Sequence, residues 1–163
     1  MKQLLLLFAL GLASCTQVPQ ADDAPIDPKA LPPIVLLKGD TVTRFSTDSL
    51  AKGRPTMLYF YGPGCLPCDT LSQQLIAKMD TLKDVNILFI SAGAFHEVKV
   101  YQEKFNPERF PNVKLGLDYN NAFYRYFGGQ AYPILAFYDK NKQIKRANIG
   151  SLPLDTIRAI IDK

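Results

Sequence analysis

With 163 residues, 47% of them hydrophobic, and a formal charge of +4, the chain has the composition of one globular domain. Nineteen lysines and arginines against 15 acids make too mild a surplus for an electrostatic footprint on nucleic acid, and no such partner is expected. No apolar run is long enough to span a bilayer comfortably as a helix.

Met1-Lys2-Gln3 gives a short basic start, and Leu4 to Ala13 is an apolar stretch of the length of a signal-peptide core. It ends in Leu12-Ala13-Ser14-Cys15, which resembles a bacterial lipobox. That resemblance implies that residues 1–14 are a lipoprotein signal peptide and that Cys15 becomes an acylated N-terminus. Membrane lipid is then a partner through Cys15, since two or more acyl chains hold a protein stably where one binds only marginally. Ordinary secretory cleavage near Ala13, or a retained anchor, is the alternative. The location expected is the bacterial cell envelope, with the domain outside the cytoplasm.

Residues 15–33 are rich in proline and carry two adjacent acids, Asp22 and Asp23, with few large apolar groups. Such a segment should be a flexible tether, leaving residues 34–163 as the folded domain.

The domain opens with two short β-rich runs around Gly39-Asp40, a dipeptide suited to a tight turn between antiparallel strands. One helical turn is expected over 46–52. Thr56 to Tyr61, TMLYFY, is a continuous apolar run and predicts a central strand covered on both faces. Leu71, Leu75, Met79 and Leu82 then recur at helical spacing, with Pro67 tolerated in the first turn. Val85 to Ile90 predicts a second buried strand, Glu97 to Phe105 a helix ended by Asn106-Pro107, and Val113 to Leu117 a short strand. Surface loops around 95–117 are expected to lengthen the domain between the second strand and the aromatic helix, either as a partner contact or as an inert insertion. Asn120 to Phe127 predicts an aromatic helix stopped by Gly128-Gly129. Ile134 to Tyr138 and Gln143 to Ala147 predict a hairpin, and Pro153 opens a final helix through Ile161. Alternating strands and helices call for an α/β fold, a central mixed sheet with helices on both faces.

Between the first long strand and its helix lies GCLPC, which places Cys65 and Cys68 three positions apart. On a helix such residues face the same side with Cβ atoms about 5 to 6 Å apart, near disulfide geometry. With Cys15 consumed by lipid, these two are the remaining thiols of an exported chain, where disulfides form and persist. A structural bridge gains little from so short a loop. A closed zinc site needs about four ligands, and beyond the two thiols only His96 is at hand, more simply read as a surface or loop residue. Copper carriage by the thiols remains open. The reading that uses every feature is redox exchange. Cys65, at the helix N-terminus where free amides favour a thiolate, is the nucleophile, and Cys68, one turn deeper, resolves the mixed disulfide.

Taken together, strand-Cys65-Leu66-Pro67-Cys68-helix, Tyr132-Pro133 before the hairpin, and the DKNKQI turn with Gly150 beyond it resemble the thioredoxin-like superfamily. Within it the likeness is to the periplasmic, membrane-tethered thiol-disulfide oxidoreductases, over about residues 34–163. The resemblance implies a thioredoxin-like fold, protein disulfides as substrates and an upstream membrane electron donor. It implies no cofactor beyond the redox-active pair, and no metal. It also implies that Pro133 is cis and shapes a substrate groove with Tyr132, beside Gly64 and Pro67. The Leu66-Pro67 dipeptide resembles that of reducing members. Three positions depart from the family pattern. Gly64 stands where a tryptophan is common, Tyr59 where thioredoxins bury an acid, and Leu71 where some periplasmic relatives carry one. No proton shuttle is identifiable, and Asp69 is expected to be a solvated first-turn residue. Two other readings stay open, a copper or thiol-partner chaperone without turnover and a thiol peroxidase. Peroxiredoxins carry a threonine where this chain has Gly62.

Overall fold

A computed structural model describes residues 29–163 apart from Ala92, Gly129 and Gln130. The expected signal peptide, the acylated Cys15 and most of the tether lie outside the described residues.

One seven-stranded sheet organises the domain. Its strands are β1 (Val35–Leu37), β2 (Arg44–Ser46), β3 (Thr56–Tyr61), β4 (Asn86–Ser91), β5 (Val113–Leu117), β6 (Ile134–Tyr138) and β7 (Ile144–Ile149). Their order across the sheet is β2-β1-β5-β4-β3-β6-β7. The three central strands β3, β4 and β5 are parallel, while β6, β7, β1 and β2 join antiparallel at the flanks. Among the described residues four α-helices pack with the sheet, α1 (Leu66–Ala77), α2 (Phe95–Phe105), α3 (Ala122–Phe127) and α4 (Leu154–Asp162).

The apolar run of β3 is buried at every position because both faces are covered. Met57, Tyr59 and Tyr61 point into one cluster with Leu71 and Leu75 of α1, Val98 and Tyr101 of α2, and Ile157 and Ile161 of α4. Leu58 and Phe60 alternate to the other face, against Phe123 of α3 and the first strand's Leu36. The mixed sheet with helices on both faces is thus the expected architecture, and each fully buried leucine or phenylalanine contributes about 1.5 to 3 kcal/mol.

Several boundaries differ from the sequence reading. Leu71, Leu75, Met79 and Leu82 are all buried, but α1 stops at Ala77 and Met79–Leu82 form a 3-10 turn. The helix α2 begins two residues early, at Phe95, because the Glu97 carboxylate turns back to accept the Ala94 amide at 2.6 Å. The segment 95–117 is a full helix-strand unit that supplies Val98, Tyr101, Phe105, Val113 and Leu115 to the core.

The chain also joins the fold before residue 34. Ala30 bridges Gln143, the Leu31 amide donates to the Lys142 carbonyl, and that of Ile144 to the Lys29 carbonyl. The end of the proline-rich segment therefore lies along the β6–β7 turn. Register fixes which end of the sheet this is. Thr56 pairs with Tyr138 at one end of β3 and Phe60 with Ile134 at the other. The β6–β7 turn and Ala30 lie at the Thr56 end, whereas the cysteines follow Tyr61 at the opposite end.

Candidate active site

The strand β3 ends at Tyr61, and after four intervening residues α1 begins at Leu66. Gly62 is buried under Tyr132, where a Cβ would collide with the aromatic ring. Gly64 has a φ of +64°, the left-handed region that glycine enters without steric cost. This turn delivers Cys65 to the N-cap of α1, where its sulfur accepts the Cys68 amide at 3.2 Å. Pro67 is exposed within the first turn, where a missing N–H costs no helical hydrogen bond.

Cys65 and Cys68 form a disulfide with their Cα atoms 5.2 Å apart. The two sulfurs belong to different surroundings. Cys65 is partly exposed and flanked by the open Leu66, whereas Cys68 is 1% exposed and lies in the core cluster with Tyr59 and Leu71. The asymmetry follows from the helix, whose N-cap faces solvent while its third residue turns toward the sheet.

The Tyr132–Pro133 peptide bond is cis. Two adjacent residues after β7 tie this segment to the dithiol helix. The Gly150 amide donates to the Pro133 carbonyl at 2.7 Å, and the Ser151 hydroxyl to the Pro67 carbonyl at 3.3 Å. Tyr132 rests on Gly62 and lies 5.4 Å from the Phe60 ring, with about a third of its surface exposed. Of the residues expected at the groove, Tyr132 and Pro133 are held from the β6 side, while Gly64 and Pro67 flank Cys65 and Cys68. Sequence reasoning missed Ser151, whose contact to Pro67 spans 84 residues.

Tyr59, at the position where thioredoxins bury an acid, is fully buried and donates to the Cys68 carbonyl at 2.7 Å. Its oxygen lies 3.0 Å from that of Ser72, and Ser72 is hydrogen-bonded to the Tyr101 hydroxyl. Burial pushes the Tyr59 phenol up to about 12 and raises those of Tyr61 and Tyr101 as well. All three stay neutral where thiols exchange. Ser72 and Tyr101 were not singled out from the sequence. Ser72 stands one helical turn beyond Cys68, which is a usable signal; Tyr101 reaches the site only by tertiary packing.

Asp69 is not simply solvated. Its carboxylate is ion-paired with Lys104 of α2. The pair sits at a cleft of about 330 Å³ lined also by Gly62, Gly64, Ser91, His96 and Glu97. His96 is exposed in the first turn of α2. Among the described residues no three histidine, cysteine or acidic side chains gather as a metal-ligand set, and no helix is long and apolar enough to cross a membrane.

No family model and no curated protein sequence matches the chain; the likeness lies in three dimensions. The exposed lipoprotein thioredoxin Etrx1 of Streptococcus pneumoniae strain TIGR4 superposes with a TM-score of 0.61 at 16% identity, over 79% of this chain and 98% of that one. A secreted disulfide oxidoreductase of Mycobacterium tuberculosis, homologous to DsbE of E. coli, gives 0.64 at 17%, over 78% and 93%. A peroxiredoxin-like protein of Aquifex aeolicus gives 0.63 at 15%, over 81% and 83%. The fold of this chain is thioredoxin-like.

Proposed function

We propose that this protein is a thiol-disulfide oxidoreductase that reduces protein disulfides in the cell envelope. The observation that carries the reading is the division of labour between two bonded sulfurs, one partly open at a helix N-cap and one sealed in the core beneath it.

In the reduced protein, the Cys65 thiolate keeps the Cys68 amide as a donor and attacks a substrate disulfide. A mixed disulfide forms, and one substrate sulfur leaves as a thiolate. Cys68 then attacks the Cys65 sulfur, which closes the Cys65–Cys68 bond and releases the second substrate sulfur. Two electrons pass from the dithiol to the substrate, and the two substrate thiolates take up protons. The enzyme is left in the disulfide form seen here. A further turnover needs a dithiol-class donor, for which a membrane carrier is the natural source in an exported protein. The reducing direction rests on the Leu66-Pro67 resemblance.

Tyr132, Pro133, Gly64 and Pro67 are assigned to the groove that receives the substrate backbone. Their support is the pair of hydrogen bonds through Gly150 and Ser151, which hold the Pro133 and Pro67 segments together. Acylation at Cys15, with residues 1–14 removed and the following segment as tether, is supported by the Leu12-Ala13-Ser14-Cys15 sequence. It agrees with the description of one structural neighbour as an exposed lipoprotein.

The test is reduction of insulin disulfides by the pre-reduced protein. The wild type should precipitate the insulin B chain catalytically in the presence of dithiothreitol, and Cys65→Ser should lose this activity. Copper(I) bound stoichiometrically, with no reduction of insulin, would replace the enzyme by a metal chaperone.

A further inference from the structure

The three buried hydroxyls behind Cys68 form a line with a fixed direction. A phenol has one proton, and that of Tyr59 is committed to the Cys68 carbonyl at 2.7 Å. Ser72, 3.0 Å away, must then donate to Tyr59, and Tyr101 must donate to Ser72. Each hydroxyl between Tyr101 and the carbonyl thus gives one hydrogen bond and receives one, an arrangement in which neighbouring bonds polarise one another. Tyr59 and Ser72 are fully buried and Tyr101 is 7% exposed. Tyr101 is itself fixed by stacking on Tyr61 at 3.9 Å between ring centroids.

The line ends on the peptide of one particular residue. Cys68 offers its amide to the Cys65 sulfur and its carbonyl to Tyr59. It stands in the first turn of α1 directly after Pro67, where the helix has few hydrogen bonds of its own and frays most readily. Once the disulfide opens, the covalent restraint on that turn is gone, while β3 and α2, which carry the two tyrosines, are unaffected.

We propose that Tyr59, backed by Ser72 and Tyr101, is a positioning residue for the resolving step, pinning the Cys68 peptide to β3 so that its sulfur stays within reach of Cys65. The proposal rests on the dithiol-exchange reading above and assigns that reaction a part not filled by the two cysteines. In the step concerned, the Cys68 thiolate attacks the Cys65 sulfur of the mixed disulfide, the Cys65–Cys68 bond forms, and the substrate sulfur departs with the bonding pair and is then protonated. Tyr59 transfers neither proton nor electron. Its contribution is geometric, and misplacing a reacting atom by about 1 Å costs on the order of 100-fold in rate. A buried carboxylate at the same place would have to be kept from ionising or paired, whereas the hydroxyl line carries no charge to desolvate.

The experiment follows the two halves of turnover separately. The reduced protein is mixed with a symmetrical aryl disulfide whose halves absorb as free thiolates. Release of the first half reports attack by Cys65, and release of the second reports resolution by Cys68. Tyr59→Phe should leave the first phase within about twofold of wild type and slow the second about tenfold or more. Ser72→Ala should slow the same phase, and the double variant should be no slower than Tyr59→Phe alone, as expected of groups acting in one chain. Asn112→Ala serves as a control for general loosening. It removes buried bonds to the Leu82 and Val85 carbonyls, far from the cysteines in sequence and chemistry, and should leave both phases unchanged. Should Tyr59→Phe fail to fold, Ser72→Ala carries the test. An unchanged second phase, or equal slowing of both phases, overturns the proposal. A wild-type protein that releases no first thiolate overturns the exchange reading instead.

Discussion

Tyr132 lies so close over Gly62 that a single added methyl group at position 62 would occupy the space of its ring. The contact joins the loop that carries Cys65 to the segment that carries the cis proline, two parts of the chain 70 residues apart in number and adjacent in the sheet through β3 and β6. Gly62→Ala should therefore displace Tyr132 and destabilise the domain by about 1 to 3 kcal/mol, the usual range for overpacking. Urea unfolding measures this. A Gly62→Ala protein as stable as wild type would mean that the ring yields freely and is no fixed wall of the groove.

The two cysteines should react very differently once reduced. Cys65 is partly exposed and faces an amide donor, while Cys68 is 1% exposed. Iodoacetamide at neutral pH should label Cys65 at least about tenfold faster. Mass spectrometry after brief labelling reads the ratio directly, and equal labelling would remove the basis for assigning separate roles.

At the turn between β1 and β2, the Asp40 carboxylate accepts the Thr43 hydroxyl and the amides of Thr43 and Val42. These bonds, that of the Thr43 side chain foremost, lower it from its ordinary value near 3.8 to about 2. Because the folded value is depressed, the contribution of the turn is complete above about pH 4 and is lost as the pH falls toward 2. A carboxyl-detected NMR titration should place Asp40 near 2, with the Val42 and Thr43 amide signals moving at the same midpoint. A midpoint near 3.8 would show that the hydrogen bonds of this turn are open in solution.

A buried acid starts α3. The two carboxylate oxygens of Asp118 accept the Ala122 amide at 2.9 Å and that of Phe123 at 2.7 Å, and its residue is 3% exposed. Asp118→Ala should cost about 1 to 2 kcal/mol, with amide exchange accelerated most over residues 122–127. Disulfide exchange in the folded protein should be unaltered, since α3 lies on the face of the sheet away from α1. Slowed exchange would reveal a coupling across the sheet that the packing does not suggest.

The sequence made the central strands and the dithiol helix legible for one physical reason. A strand covered on both faces is buried at every position, and β3, β4 and β6 are, with polar residues only at strand ends, at Thr56, Asn86 and Ser91. The start of α2 was obscured because Ala94 has no capping side chain; the cap comes from Glu97 reaching backward. The pairing of Ala30 with Gln143 uses main-chain groups alone, so a proline-rich composition hid it. At the site, Cys65, Cys68 and Tyr132-Pro133 stand out by spacing or residue type. Ser151 and Tyr101 do not, because each gains its place from a contact across the fold rather than from its neighbours in the chain.

The leading segment meets the domain at the end remote from the cysteines. It is laid along the β6–β7 turn, at the far end of the strands from Cys65, roughly 17 Å away along a strand of this length. A chain attached through its first residues would thus join the domain at the pole opposite its dithiol, leaving the Cys65 end clear of the attachment point.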